Sequence, residues 1–351
     1  MAATGAAARA AFNWRTISDA ELLELRLADL PLRIEGTPLA ARLETLAGEL
    51  AARSLRFRPH VWLSEEWFTP DGVPGFAIPF YLAHPRLMRL ERRQMLEVEG
   101  RTARECLQIM RHEAGHAISN AFNLHRRRAW REHFGQFTQP YPHVYRPKPN
   151  SRDYVLHLNA WYAQAHPAED FAETFAVWLR PRARWRRSYE NWPALRKLEY
   201  VDKLMTEIAD RVPPSRSPRQ EVEPLAGIKT TLGEHYARKR AYYAVKWPAY
   251  YDLDLQRIFS ADEGHNKRRA PRQPAAQFLR RVRRQLRDEV AEGTGVHHYT
   301  IDYLLKNMID RCRTLKLRVT TDEKRALRQA IIMLTVQTMN VLHAGYHPIA
   351  L

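Results

Sequence analysis

Residues 102–124, TARECLQIMRHEAGHAISNAFNL, form the stretch that decides the fold. Apolar residues recur in it at helical spacing, so it predicts one long helix with a buried stripe. His112 and His116 stand four residues apart, which places both imidazoles on one face of that helix. Glu113 lies between them and would project beside them. Two histidines so placed can reach one metal ion and the glutamate can reach its water, so the pattern indicates a zinc site.

A catalytic zinc ion takes three protein ligands and keeps one position open, so a third ligand must come from elsewhere. A histidine ligand six residues after His116, as in HExxHxxGxxH enzymes, is excluded, because Ser119 and Phe122 occupy the positions of the glycine and the histidine of that pattern. Residues 167–180 predict a second helix with Glu169 and Glu173 on one face. One of them could bind the metal while the other orients a histidine. Acidic residues in a first helical turn also suit the helix dipole without any metal, and this interpretation stays open.

The two motifs together resemble a known class of enzymes. HEAGH at 112–116 followed by EDFAETF at 169–175 looks like the gluzincin metallopeptidases, and E-x-x-A-E-x-F is similar to the catalytic domain of anthrax lethal factor. Residues from about 55 to 260 resemble a bacterial family of zinc-binding metallopeptidases. Many members of that family carry a cysteine-rich zinc ribbon, which a chain with two cysteines cannot build. The resemblance implies an α+β fold that is mostly helical, with a small sheet in a zincin-like core.

The resemblance also implies roles for individual residues. Glu113 becomes the general base that activates water for hydrolysis of a peptide bond, and Glu173 the carboxylate that orients a ligand. Tyr162, seven residues before the second motif, becomes a candidate to stabilise the oxyanion, although a buried aromatic residue of no catalytic role fits equally well. One catalytic zinc ion is implied, and its three ligands are His112, His116 and Glu169.

The charge distribution leaves other functions open. The chain has 56 Lys and Arg against 39 Asp and Glu, a net charge of +17. Residues 1–110 are neutral overall, so the excess lies in the last two thirds. Such a field attracts acidic substrates or nucleic acid, although solvated arginine-rich faces would also carry it. Two alternatives therefore stand beside the peptidase: a non-catalytic, zinc-stabilised scaffold that binds nucleic acid or an acidic partner, and a zinc amidase that acts on a nonpeptide amide.

Composition divides the 351 residues into four parts. We expect a flexible tail at 1–16, a catalytic domain at 17–210, a Pro-rich linker at 211–224 and a basic, all-helical domain at 225–351. Short aromatic runs between 55 and 82 predict the strands of the small sheet. Apolar runs are too short for a membrane span and the start lacks a secretory signal, so we expect a cytoplasmic protein; a mitochondrial presequence would look similar.

The remaining histidines and the cysteines are expected to be structural. Cys106 and Cys312 are far apart in the sequence and are expected to be reduced core thiols. The adjacent pair His297-His298 lacks a carboxylate motif and predicts a helix start. Residues 125–160 are too irregular for regular elements and predict a functional loop system. The histidines of that loop are expected to lie at the surface or to be hydrogen-bonded, and they are His125, His133, His143 and His157.

Overall fold

The computed structural model describes residues 14–142, 144–214, 220–244, 251–261, 273–343 and 347–348, most of which are helical. The helices are α1 (Asp19–Leu23), α2 (Pro38–Ala51), α3 (Pro85–Met95), α4 (Ala103–Phe122), α5 (Arg128–Phe134), α6 (Pro167–Leu179), α7 (Trp185–Ser188), α8 (Ala194–Ile208), α9 (Leu232–Tyr243), α10 (Asp252–Ile258), α11 (Ala275–Arg281), α12 (Arg283–Thr294), α13 (His298–Thr314) and α14 (Glu323–His343). The strands are β1 (His60–Ser64), β2 (Gly75–Pro79), β3 (Val144–Tyr145), β4 (Phe259–Ala261), β5 (Leu317–Val319) and β6 (His347–Pro348).

The small sheet predicted before residue 82 is present, and its two strands are parallel. Strand β1 pairs with β2 from His60 opposite Gly75 to Ser64 opposite Pro79. All of β2 is buried, because the sheet lies against α4 in the core. The α+β class and the mostly helical content expected from the sequence are therefore confirmed.

The prediction of an all-helical C-terminal region is wrong. Strand β4 pairs antiparallel with β5, and Phe259 lies opposite Val319. Each of these strands has only three residues, which is too short for an alternating pattern to stand out in the sequence. They close one side of a helical cluster that α10 to α14 build.

Buried apolar residues form two large clusters along the chain. The first extends from Trp14 to Tyr236 and the second from Tyr251 to Leu334. Helix α9 contributes Leu232 and Tyr236 to the first cluster, so that core reaches past the expected linker at 211–224. The four-part division of the chain stays a prediction, since 1–13 and 215–219 lie outside the described residues.

Helix α4 is fixed at both ends and along one side. Thr102 and Glu105 form a capping box at its start, and Asn123 ends it in the left-handed conformation. Arg111 donates two hydrogen bonds of 2.7 Å to the Glu49 carboxylate on α2. Such a bidentate pair fixes orientation as well as distance. The two histidines of the HEAGH motif are therefore carried by a helix that cannot rotate freely.

In the part of the chain that the structure describes, no helix has both the length and the apolar character that crossing a membrane requires. Cys106 and Cys312 are both buried and unbridged, as expected.

Candidate metal centre

The close approach of α4 and α6 builds the site. Gly115 lies between the two histidines of HEAGH, and a Cβ atom placed there would come within 2.9 Å of the Ala172 Cα atom. Only glycine allows the two backbones to approach this closely without a shift. The approach brings Glu169 and Glu173, one turn apart on α6, against the histidine face of α4.

Three side-chain atoms converge on one point. The Nε2 atoms of His112 and His116 are 3.1 Å apart, and the Glu169 Oε2 atom lies 3.0 Å from the first and 3.2 Å from the second. Zinc bonds of about 2.0–2.1 Å in a tetrahedral site place neighbouring ligand atoms about 3.3 Å apart. The triangle therefore fits a zinc ion with very little adjustment, and this donor set of two imidazoles and one carboxylate could hold one.

Glu173 supports one of these histidines from behind. Its Oε1 atom lies 2.8 Å from His112 Nδ1, and its Oε2 atom accepts a hydrogen bond of 2.8 Å from the backbone N–H of Leu158. A carboxylate can only accept, so the proton of the neutral imidazole stays on Nδ1 and Nε2 keeps its lone pair for a metal. This is the position that the resemblance implies for Glu173.

The charges of the centre are strongly coupled. Burial by itself would lower the pKa of His112, but its hydrogen bonds to Glu169 and Glu173 outweigh burial and raise that pKa well above its usual value. Burial would raise the pKa of Glu169, yet the neighbouring His116 and His112 hold it well below its ordinary value. Glu169 is therefore ionised, which is the form that binds a metal ion.

Glu113 is buried at 7% exposure and lies on the cavity side of α4. Its Oε2 atom accepts a hydrogen bond of 2.8 Å from the hydroxyl group of Thr69, a residue that lies between β1 and β2 in the chain. The carboxylate therefore has a fixed orientation beside the metal ligands. Nothing in the sequence pattern around Thr69 signalled this contact, which joins residues 44 positions apart.

Two tyrosines stand near the ligands. The Tyr162 ring lies 5.6 Å from the His112 ring and lines the cavity. The two residues before it, Ala160 and Trp161, have φ angles of 60° and 54°, a left-handed pair that is unusual outside glycine and turns the chain sharply here. The hydroxyl that contacts a ligand belongs to Tyr141, which donates a 2.9 Å hydrogen bond to Glu169 Oε1. Sequence reasoning missed Tyr141, because it lies in an irregular loop without periodicity.

The ligands open onto a cavity of about 870 Å³. Six carboxyl side chains line this cavity against two cations, Arg238 and Lys239, although the whole chain has a net charge of +17. The basic excess of the sequence is therefore not directed into the cavity. Helix α9, which lies beyond the expected linker, supplies part of the wall.

The loop histidines take structural positions. His125 stacks on Phe137 at 4.2 Å between ring centroids, and His157 lies 2.9 Å from the Gln108 carbonyl oxygen. His133 contacts the Ala129 carbonyl oxygen at 2.7 Å. His133 and His157 follow the expectation, and His143 lies outside the described residues. His125 departs from it, because it is half-buried and its Nδ1 atom has no hydrogen-bond partner among the described residues. The expectation that residues 125–160 lack regular elements is wrong, because their described part includes the short helix α5 and strand β3.

The protein-family comparison agrees with this geometry. Residues 85–189 match the model of a family described as "Putative zinc-binding metallo-peptidase". Neither the curated proteins nor the solved structures gave a match, so the zincin-like core stays a prediction. The matched segment contains both motifs, at 112–116 and 169–175. The resemblance inferred from the motifs is therefore confirmed over residues 85–189, which are similar to this zinc-binding metallopeptidase family.

Proposed function

We propose that this protein is a zinc-dependent metallopeptidase that hydrolyses peptide bonds with Glu113 as the general base. One observation carries the proposal: two imidazole nitrogens and one carboxylate oxygen converge at the wall of an open cavity that Glu113 also lines. His112, His116 and Glu169 would hold one zinc ion. A zinc ion held there would supply Lewis acidity, which would make water easier to deprotonate and polarise a carbonyl group.

Glu113 has the position that a general base needs. Its carboxylate accepts the water proton and returns it to the amine that leaves when the peptide bond breaks. The hydrogen bond from Thr69 orients the carboxylate before a substrate arrives, so no reorientation is needed during the reaction. Glu173 acts through His112, whose imidazole it holds in the tautomer that can bind the metal.

Tyr162 is the proposed donor to the oxyanion. Burial raises the pKa of its phenol, and the negative charge of Glu169 adds to the rise, so the hydroxyl keeps its proton at neutral pH. A protonated hydroxyl at the cavity wall can donate to the oxygen on which negative charge develops. The Tyr141 hydroxyl already donates to Glu169, and we assign it the role of holding that ligand.

The open cavity favours an enzyme over the scaffold, but it does not distinguish a peptidase from an amidase. A zinc-stabilised scaffold needs no access to its metal, whereas His116 and Glu169 both line the cavity here. A zinc amidase acting on a nonpeptide amide would use the same residues in the same roles. A screen of peptides against nonpeptide amides separates these two enzymes.

Metal analysis and turnover together test the proposal. We expect one zinc ion per chain in the purified protein and its loss in Glu169→Ala. Glu113→Gln should retain zinc while turnover of cleaved peptides falls by about 10²–10⁴-fold or more, because a general base contributes this much. Glu190→Gln changes an exposed glutamate outside the cavity and serves as the matched control. Undiminished turnover in zinc-loaded Glu113→Gln would refute the mechanism, and a wild-type protein unable to bind zinc would refute the zinc-dependent proposal as a whole.

A further inference from the structure

The cavity has two parts with different chemistry. The first is apolar, where the rings of Trp130, Phe137 and Phe171 contact one another. The second is built by the segment after β1, the residues after α3 and one face of α9. We call this second part the carboxylate wall, and its residues are Glu65, Glu66, Glu99, His235, Arg238 and Lys239.

The two cations of the carboxylate wall are already paired. Arg238 lies 2.6 Å from the Glu65 carboxylate. Lys239 lies 2.7 Å from Glu66 and 3.0 Å from Glu91, which is buried behind the wall. Glu99 lines the cavity and, within the described part of the chain, its carboxyl group forms neither an ion pair nor a hydrogen bond. The wall therefore has negative charge left over and no cation available for an acidic group.

A buried histidine adds a second, independent indication of a ligand. His235 is 3% exposed, and its Nδ1 atom lies 3.0 Å from the Glu65 carboxylate. Its neighbours hold the pKa of Glu65 below the usual value, so this carboxylate only accepts and the proton is on Nδ1. The other nitrogen, Nε2, has no hydrogen-bond partner among the described residues, and Glu66 is 4.0 Å away. Buried polar atoms are rarely left unpaired, so a donor group is expected beside Nε2.

We propose that the carboxylate wall binds a positively charged group of the substrate, an ammonium or a guanidinium, which pairs with Glu99 and donates to His235 Nε2. The inference rests on the proposed peptidase function and names the substrate class of that same cavity. The Trp67 and Tyr243 rings also line the cavity and provide apolar surface for the stem of a lysine or arginine side chain. A free N-terminal amine has the same chemistry and is the second source of such a group.

This inference departs from the expectation of an acidic substrate that the net charge suggested. Net charge acts over the whole surface, whereas binding in a cavity depends on the groups that line it. The cations on the wall are held by glutamates at less than 3.1 Å, so an acidic group would have to compete with these partners. A cation meets an unpaired carboxylate instead.

The ionisation of Glu99 gives the binding a characteristic pH dependence. The protein atoms that surround the Glu99 carboxyl group in the cavity shield it from water and raise its pKa to about 7, and the neighbouring Lys239 only partly opposes the rise. A cationic ligand pairs with the ionised form, so binding should strengthen as pH rises from about 6 to about 8. The titratable groups that face Glu99 are Lys239 and Tyr243 from α9, Glu66 from the segment after β1, and Glu91 and Glu97 from α3 and the residues after it.

Cleavage of a defined peptide library by the zinc-loaded protein tests the inference through turnover. Cleavage enriched beside Lys or Arg would identify a side chain as the source of the charge, and cleavage that needs a free N-terminus would identify the amine. For a cleaved peptide, removal of the charge by acetylation should lower kcat/KM by about tenfold or more. Glu99→Gln should reduce the ratio of kcat/KM for the charged peptide to kcat/KM for the acetylated peptide, while Glu190→Gln should leave this ratio unchanged. Cleavage without preference for positive charge would overturn the inference and leave the peptidase intact.

Equilibrium binding tests the inference without turnover. A lysine peptide and its acetyl-lysine twin are titrated calorimetrically into zinc-loaded Glu113→Gln protein. The charged peptide should bind about tenfold or more tightly, and its advantage should be larger at about pH 8 than at about pH 6. Equal binding, or none, would overturn the inference. If no library peptide is cleaved by the wild-type protein but this preference is seen, the peptidase proposal fails and the cation site stands.

Discussion

His112 and His116 are four residues apart on α4, and their Nε2 atoms both lie within 3.2 Å of one oxygen of Glu169. His297 and His298 are adjacent at the start of α13, and each contacts a different oxygen of Glu97. The two Nε2 atoms of the first pair converge on one oxygen atom. In the second pair each histidine occupies a different oxygen of the Glu97 carboxylate, so the two rings do not converge. A histidine pair beside a glutamate is therefore not enough for a metal site. The spacing along the helix makes the first pair a candidate for one.

The largest effect should come from removing a ligand of the convergent pair. His116→Ala removes one corner of the ligand triangle and should leave the purified protein without bound zinc, because two protein ligands rarely suffice for a catalytic site. His298→Ala should retain the wild-type zinc content, since its partner Glu97 takes no part in the triangle. Metal analysis after dialysis measures both. Zinc retained by His116→Ala, or lost from His298→Ala, would remove the distinction between the two pairs.

The glutamates that contact the two histidine pairs, Glu173 and Glu97, should also differ in their effect on zinc affinity. Glu173→Gln keeps the size of the side chain but can turn an amide N–H toward His112, so zinc affinity should fall by about 10–100-fold. Glu97→Gln perturbs the contact between α13 and the residues after α3 and should leave zinc affinity unchanged. Competition with a chelator of known affinity gives both values. Equal zinc affinity in Glu173→Gln and wild type would contradict the orienting role.

The close approach of α4 and α6 at the convergent pair can be tested by replacing a glycine with alanine. In Gly115→Ala the new Cβ atom meets the Ala172 backbone at 2.9 Å, so α4 and α6 must separate. Overpacking of this kind costs about 1–3 kcal/mol of unfolding free energy, and the better helix propensity of alanine offsets only part of it. Gly48→Ala, inside α2 and with no atom within 4 Å of the new Cβ, should instead stabilise by about 0.4–1 kcal/mol. Urea unfolding compares them, and stabilisation by Gly115→Ala would show that the helices are not in close contact.

The smallest effect is expected from acid titration of the second pair. Burial lowers the pKa of His297 to about 4, and its Nδ1 atom accepts a 3.0 Å hydrogen bond from the Tyr299 N–H. Histidine in an unfolded chain titrates near about 6.5, so the unfolded state takes up the proton first. This contribution to stability is complete above about pH 6.5 and decreases as the pH falls toward about 4.

His297→Asn keeps a capping side chain and should reduce that acid sensitivity. Unfolding free energies from urea at about pH 7 and about pH 5 should therefore differ less in the variant than in wild type. His133→Asn, at a histidine on α5, is the control and should retain the wild-type difference. If the two unfolding free energies differed as much in His297→Asn as in wild type, the His297 imidazole would make no contribution to the pH dependence of stability.

The convergent histidine pair could be predicted from local sequence patterns. The residues around it could not, because they lie far from it in the sequence. The i and i+4 spacing of HEAGH and EDFAETF follows from helix geometry alone, and α4 and α6 begin within one residue of the predicted starts at 102 and 167. Thr69 and Tyr141 reach the site across 44 and 28 residues, and no local period records such contacts. The contribution of α9 to the cavity was also missed, because the prolines before it predicted a domain boundary.

Helix α9 lies outside the segment 85–189 that matches the metallopeptidase family, yet it supplies His235, Arg238 and Lys239 to the cavity. The proposed metal ligands and the proposed general base are all inside that segment, and so is Glu99, the carboxylate of the proposed cation site. The proposed substrate preference therefore depends on both stretches of the chain, whereas the residues proposed for bond cleavage come from one. Exchange of α9 alone would change one half of the cation site and leave the proposed chemistry the same, and an excised fragment 85–189 would keep the proposed ligands and Glu99 but lose His235.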